Sequence, residues 1–429
     1  MWSTPLRHII EGFTPLGYGK RMKPTGPIPP YFAIIDGELA IGGKTASKLV
    51  AEAGDTPLFV YSTDALTRRI AELRAALPKQ VALHYAMKGN PFPPLLEWMR
   101  DRVDGFDVAS GGELKLAMAA GVSPDKISFA GPGKRDRDLE LAISQGVTLN
   151  CESEGEAARA FAIGDRLGVT PKLAIRVNPS FDLKGSGMKM GGGAKPFGVD
   201  AERVPALIRA ILGAGAEWRG FHIYAGSQAL DADAIIAMQV QTLALAAELA
   251  EAAGVSPPYV NLGGGFGIPY FPGDKPVDLG AVGGALGQAL SVLPDNLKDT
   301  HFCIELGRYL VGEAGVYVCR IIDRKVSHGE TFLVTDGGLH HQLAASGNFG
   351  TVIRRNYPVA IANKFAAEPT EVASIVGCLC TPLDVLSNQP LLPRADVGDL
   401  VAVFCAGAYG ASASPANFLG QGAALEILV

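Results

Sequence analysis

The chain has 429 residues, of which 53 are glycine, 48% are hydrophobic and 19% are charged. That composition excludes a disordered chain, and glycine without a triplet period excludes collagen. With 38 lysines and arginines against 43 aspartates and glutamates, the net charge of −5 offers no basic field for nucleic acid or an anionic membrane.

The length suggests two or three domains. Met1-Trp2-Ser3-Thr4-Pro5-Leu6-Arg7 lacks the charged and then apolar layout of a signal peptide. The longest uncharged apolar stretch, about 279–294, is too short and glycine-rich to span a bilayer. Six cysteines without CxxC or zinc-type spacing predict reduced thiols in a cytoplasmic protein and no metal centre.

Residues 1–30, with six prolines and the cluster Lys20-Arg21-Lys23, read as an N-terminal arm. Short β-like runs at 33–35 and 38–41 follow, and residues 31–56 are expected to join a later β domain. A strand-like run at 58–62 and a helical pattern over 64–77 come next. Strand-length apolar runs then recur at 81–88, 105–110, 127–131, 149–153, 173–178, 220–226, 259–265 and 302–307. Helical segments such as 112–120, 154–167, 204–213 and 234–253 separate them. Eight strand–helix alternations predict an α/β fold, a (β/α)8 barrel over 57–306. An open doubly wound sheet competes, but no GxGxxG fingerprint follows an early strand. Beyond 307 the helical signal fades, and runs at 316–322, 331–335, 371–376, 400–404 and 424–429 predict a mainly β domain over 307–429.

In such a barrel, ligand-handling side chains stand at the C-terminal strand ends. Those ends supply Lys88, Asp107, Ser110, Gly131, Glu152, Arg176, Asn178, His222, Tyr224, Gly263-Gly264-Gly265, Glu305 and Arg308. One lysine, several anion-binding elements and a carboxylate suit a phosphorylated cofactor better than a metal. Alternation along 84–88 puts His84, Ala86 and Lys88 on one strand face. If that face lines the barrel, desolvation lowers the Lys88 pKa as imine chemistry requires; a lysine snorkelling at a strand end is the plain alternative. The glycine triplet lets backbone N–H groups approach an anion, or forms an ordinary turn. Ser227 can add a hydroxyl. The segment 184–198, rich in glycine and lysine, lacks the phosphate-loop pattern and reads as a mobile lid.

Six motifs occur in order: Tyr85-Ala86-Met87-Lys88-Gly89-Asn90, Phe106-Asp107-Val108-Ala109-Ser110-Gly111-Gly112-Glu113, Gly226-Ser227-Gln228, Leu262-Gly263-Gly264-Gly265, Glu305-Leu306-Gly307-Arg308 and Gly407-Ala408-Tyr409-Gly410. Together they resemble the fold-type III pyridoxal-phosphate decarboxylases, the group acting on diaminopimelate, ornithine and arginine. The resemblance implies a pyridoxal-phosphate barrel plus a β domain of the alanine-racemase type, paired as a homodimer with composite active sites. It implies that Lys88 is the internal aldimine lysine. Glu305 matches the carboxylate facing the pyridine nitrogen, whereas racemases place an arginine there. Arg308, Ser227, Gly263, Gly264, Gly265, Gly307 and Tyr409 match positions around the phosphate, and Asp107, His222 and Tyr224 complete the cofactor set. Cys380 matches the proton donor supplied by the partner subunit to the quinonoid carbanion. Arg308, Tyr409, Thr381 and Asp384 are the candidates for touching substrate, the role of Asp384 otherwise being open.

Three departures from the pattern stand out. Tyr224 occupies the place of a histidine that stacks on the cofactor, which leaves open whether Tyr224 or His222 stacks. Thr381 replaces the acid that holds a distal substrate ammonium, and a neutral hydroxyl cannot offset a desolvated cation. After Asp336-Gly337-Gly338-Leu339-His340-His341-Gln342-Leu343, the Arg-Pro and Tyr of carboxylate recognition give way to Ala344-Ala345-Ser346-Gly347-Asn348-Phe349. The features resemble the branch linked to exosortase clusters and decarboxylases of carrier-bound glutamyl groups. The expected activity is α-decarboxylation of an amino acid that is neither diaminopimelate nor ornithine, either tethered through its side-chain carboxyl to a carrier protein or free with a neutral or anionic side chain. Diaminopimelate decarboxylation, racemisation and a non-catalytic regulator are the competing readings. Lys20-Arg21-Lys23 could meet an acidic carrier or lie in a solvated arm.

Overall fold

The computed structural model describes residues 22–185, 187–348 and 354–429. Residues 1–21, which hold most of the predicted arm with Lys20 and Arg21, lie outside them, as do Ser186 and Phe349. Residues 22–30 are docked: Lys23 N donates to Gln389 O over 2.9 Å and Gly26 N to Asn356 O over 3.1 Å.

Eight parallel strands form a closed barrel: β1 Val81–Ala86, β2 Gly105–Val108, β3 Ile127–Phe129, β4 Thr148–Cys151, β5 Lys172–Asn178, β6 Glu217–Ile223, β7 Tyr259–Asn261 and β8 His301–Leu306. Each falls on a predicted run. Closure comes from β8 pairing β1 and β4 pairing β5. Helices cover the outside, and their starts are written in the sequence. Ser62, Ser110 and Ser153 each cap a helix by accepting a backbone N–H three residues on. Glu113 Oε2 also accepts from Ala109 N, the residue before the cap, over 2.7 Å. Gly146, Gly168 and Gly254 end their helices in the left-handed conformation. The helix Ala232–Ala253 is long and apolar enough to cross a membrane by composition. Here Ile235, Met238, Leu243 and Ala246 are buried where it packs against the helices Val204–Gly213 and Leu279–Ser291.

Past the barrel, Gly315–Ser327, Glu330–Thr335, Val359–Ile361, Glu371–Val376, Val385–Ser387 and Leu400–Val403 make a second, mainly β sheet. Leu58–Tyr61, which precedes the barrel, pairs here with Gly315–Ser327 and with the C-terminal strand Leu425–Leu428. Ala33–Ile35 and Glu38–Ile41 form their own small sheet. They share a core with the β domain, where Leu39 and Ile41 pack with Val316, Val318, Leu400 and Phe404.

The barrel interior is polar for its type, which usually fills with branched aliphatics. Arg176, His222 and Asn261 lie side by side across β5, β6 and β7. Glu305 on β8 lies beside His84 on β1. All but His84 are buried, so each needs a partner inside the barrel.

Candidate active site

At the C-terminal mouth of the barrel a small cavity brings together Lys88, Tyr224, Ser227, Gly265, Glu305, Gly307, Arg308 and Tyr409. Seven of these residues end or follow barrel strands; Tyr409 reaches in from the β domain. Its backbone N–H donates to Gly89 O over 2.8 Å, fixing the turn against the residue next to Lys88.

Lys88 Nζ stands 5.4 Å from the centre of the Tyr224 ring. Burial pushes its pKa down, as the sequence suggests, but Tyr224, Tyr409 and the Glu305 carboxylate outweigh burial and the net direction is upward. The direction differs from the expected fall, and the one charged group behind it is the Glu305 carboxylate, which favours the ammonium.

Glu305 Oε2 lies 3.0 Å from His222 Nε2 and accepts from Asn261 Nδ2 over 3.0 Å. Burial raises the carboxyl pKa, yet the His222 ring, Lys88 and Arg176 hold it below the usual carboxylate range. Asn261, not singled out by sequence reading, also accepts from Gly263 N over 2.8 Å. Its signal was its inward phase on β7, two residues before the triplet. The triplet itself packs too tightly for side chains. A Cβ on Gly264 would stand 1.9 Å from the Glu305 carbonyl oxygen, and one on Gly265 would stand 2.3 Å from Gly226 O.

Arg308 Nη1 donates to Tyr270 Oη over 2.9 Å, and its guanidinium lies 4.7 Å from the Tyr409 ring. Arg308 Nε is buried without a hydrogen-bond partner among the described residues. A fixed cation with an unused donor, beside Ser227 and a tight glycine turn, fits a phosphate dianion. Lys88 and the buried Glu305 carboxylate, lining the same cavity, fit the aldehyde and ring nitrogen of pyridoxal phosphate. No group of histidine, cysteine and acidic side chains among the described residues has a metal-binding arrangement.

Asp107, His222 and Asp384, all expected at the site from the sequence, stand outside the cavity lining. Asp107 lies inside the barrel with Oδ2 3.3 Å from His84 Nδ1. His222 is 2% exposed and backs Glu305, while Tyr224 presents its ring to the cavity. Asp384 is buried, and its carboxylate accepts from Leu339 N over 2.7 Å and Leu379 N over 2.9 Å. Its carboxylate thereby ties two loops together and stands outside the cavity of its own chain. Cys380 is exposed and Thr381 half-buried on the loop that Asp384 anchors, outside the cavity of their own chain. Asn348 Nδ2 and Arg354 Nη2 both donate to Leu383 O over 3.3 Å. The two segments that depart from the family pattern are therefore joined, a link invisible in the sequence. The expected lid is held down: Met188–Lys189 pairs with Gly226–Ser227, and Met190 N and Gly191 N donate to Ala225 O. Arg176 lies 5.0 Å from the Phe197 ring beyond it.

The family of pyridoxal-dependent decarboxylases, through its pyridoxal-binding domain, matches residues 63–312. The L-glutamyl-[BtrI acyl-carrier protein] decarboxylase of Niallia circulans is 36% identical over 380 residues, 87% of this chain and 89% of that protein. The diaminopimelate decarboxylase of Archaeoglobus fulgidus is 32% identical over 401 residues, 93% of each chain. The structure of diaminopimelate decarboxylase from M. jannaschii with L-lysine superposes with a TM-score of 0.84 at 26% identity, covering 93% of both chains. The cavity and these matches agree, and the chain belongs to the pyridoxal-dependent decarboxylases, with pyridoxal phosphate as its cofactor.

Proposed function

We propose that the protein removes the α-carboxylate of an amino acid whose far end carries no free ammonium, with a glutamyl group tethered through its side-chain carboxyl to a carrier protein as the favoured substrate. The observation that carries this reading is the neutral pair of substrate-reading segments, Thr381 and Ala344-Ala345, beside an intact cofactor cavity. A buried ammonium facing Thr381 would lack a counter-charge, at a cost of several kcal/mol. A thioester arm has no such charge. The N. circulans relative, by its name, acts on a carrier-bound glutamyl group.

Pyridoxal phosphate supplies an electron sink for the pair left at Cα when carbon dioxide departs. Lys88 would hold the cofactor through its aldehyde carbon. Glu305, kept anionic by His222 and Asn261, holds a proton on the ring nitrogen. Tyr224 presents its ring as the stacking face, while Ser227, the glycine turn, Arg308 and Tyr409 hold the phosphate. Cys380 delivers a proton to Cα from the partner subunit of a homodimer, since it is exposed and outside its own chain's cavity. All six cysteines are free, which supports a reducing, cytoplasmic setting.

Carbon dioxide release from glutamyl-carrier, free glutamate and diaminopimelate tests the substrate. Preference for the carrier-bound group by tenfold or more in kcat/KM is expected. Efficient turnover of diaminopimelate would overturn the reading in favour of diaminopimelate decarboxylation, the activity named for the A. fulgidus relative.

A further inference from the structure

The turn that carries Tyr409 has a second cavity on its other side. A cleft of about 140 Å3 opens between this turn, the segment from Gly89 to Phe92 and the strand Leu425–Leu428. Tyr61, Phe92 and Tyr409 line it together with one acid, Glu426. Among the described residues no lysine, arginine or histidine lines it. The Tyr61 and Phe92 rings meet tilted at 5.6 Å. Tyr61 Oη donates to Glu426 Oε2 over 2.7 Å, and this neutral phenol is the only hydrogen-bond donor to Glu426 among the described residues. Burial raises the Glu426 carboxyl pKa, as expected for an acid whose cationic partner is missing.

One carboxylate among aromatic faces is a receptor for an ammonium, which gains charge attraction and cation–π contact together. The same carboxylate repels a ligand that brings its own. We propose that this cleft binds a primary ammonium with no carboxylate beside it. Amines of that class are what amino-acid decarboxylation yields: the Cα–carboxyl bond breaks, neutral carbon dioxide leaves, and the electron pair left on Cα takes up a proton, so the carboxylate charge is lost. Substrate and product thus differ by the one charge that Glu426 reads. Identifying the ligand as product rests on the decarboxylase activity; the binding itself does not.

Tyr409 lines both cavities, with the Arg308 guanidinium 4.7 Å from its ring and its N–H held by Gly89 O. An occupant of the cleft therefore touches a residue of the cofactor cavity, which links the two sites.

Calorimetry on the cofactor-loaded protein tests the proposal, with butylammonium chloride as probe. Norvaline, which would give butylamine on losing carbon dioxide, and sodium butyrate are the comparisons. Butylammonium is expected to bind saturably and at least about tenfold more tightly than either. Glu426→Gln, which can still accept from Tyr61, is expected to weaken it about tenfold, Phe92→Leu about threefold, and Lys88→Ala not at all. Unchanged binding in a folded Glu426→Gln protein, or equal binding of norvaline, would overturn the proposal. Should Glu426→Gln fail to fold, unchanged binding by Phe92→Leu would do the same. Loss of binding in Lys88→Ala alone would assign the amine to the cofactor cavity, ending this proposal while leaving the decarboxylase assignment intact.

Discussion

In the cofactor cavity the charged groups are already engaged: Glu305 with His222 and Asn261, Arg308 with Tyr270. The loop from Cys378 to Asp384 is built differently. Its backbone is ordered from inside by the Asp384 carboxylate, while Cys380 points outward, exposed. Groups that must hold one fixed cofactor are preorganised within the barrel, where reorganisation during reaction would cost rate. Cys380, which the proposed function assigns to another molecule's cavity, is presented at the surface on a rigid mount.

The sharpest way to break that contrast is to remove one member of each region. Lys88→Ala is expected to abolish the visible absorption of bound pyridoxal phosphate and to cut carbon dioxide release by about a thousandfold or more. Cys380→Ala is expected to keep the absorption and lose about a hundredfold or more in turnover. Mixing the two variants should restore about a quarter of wild-type activity, because half the dimers are mixed and each then has one intact composite site. No recovery on mixing would place Cys380 in its own chain's cavity or outside the mechanism.

Glu305→Gln should fall next, by about a hundredfold in kcat with the protein still folded. Its carboxyl pKa is depressed in the folded chain, so its stabilisation is full above the unfolded value near ~4.3 and is lost as pH falls below it. The wild type's melting-temperature advantage over Glu305→Gln should therefore shrink on acidification. Asp384→Ala leaves two buried N–H groups without an acceptor, at about 1–3 kcal/mol each, and should slow turnover about tenfold with cofactor absorption unaltered. Partial rescue by Asp384→Asn would mark it as a positioning residue; loss of cofactor absorption would refute that role.

The smallest effect concerns the barrel floor. Burial pulls the His84 pKa down, but Asp107 reverses this and raises it. The pair's stabilisation is thus full below about pH 6.5, the unfolded value, and is lost as pH rises through the folded one. Thermal denaturation of wild type and Asp107→Asn should converge as pH rises from about 6 to 9.

Much of this was legible in the sequence because barrel strands are local and periodic. The eight runs lie where the strands are, and reading their C-terminal ends found Lys88, Tyr224, Gly265, Glu305 and Arg308, which meet in the cavity. Partnerships across the barrel were not legible. Asp107 sits at a strand end like Lys88, yet its partner, His84, is 23 positions away and deeper. His222 looked like a cofactor contact because only the register of β6 and β8 shows that Glu305 intervenes. Asp384 carried a motif's acid, and no periodicity announces that two loops close over it.

The Asn261 side chain bridges the Glu305 carboxylate and the glycine turn, its amide N–H donating to Glu305 and its oxygen accepting from Gly263 N. The spacing between ring-nitrogen anchor and phosphate turn is thereby set by one short, stiff side chain. Such a gauge selects by length: a cofactor analogue extended by a single methylene between ring and phosphate would satisfy one end only. Asn261→Asp would put a second negative charge against Glu305 and Asn261→Ala would uncouple the ends, so neither substitution is neutral in a site whose tolerance is a fraction of an ångström.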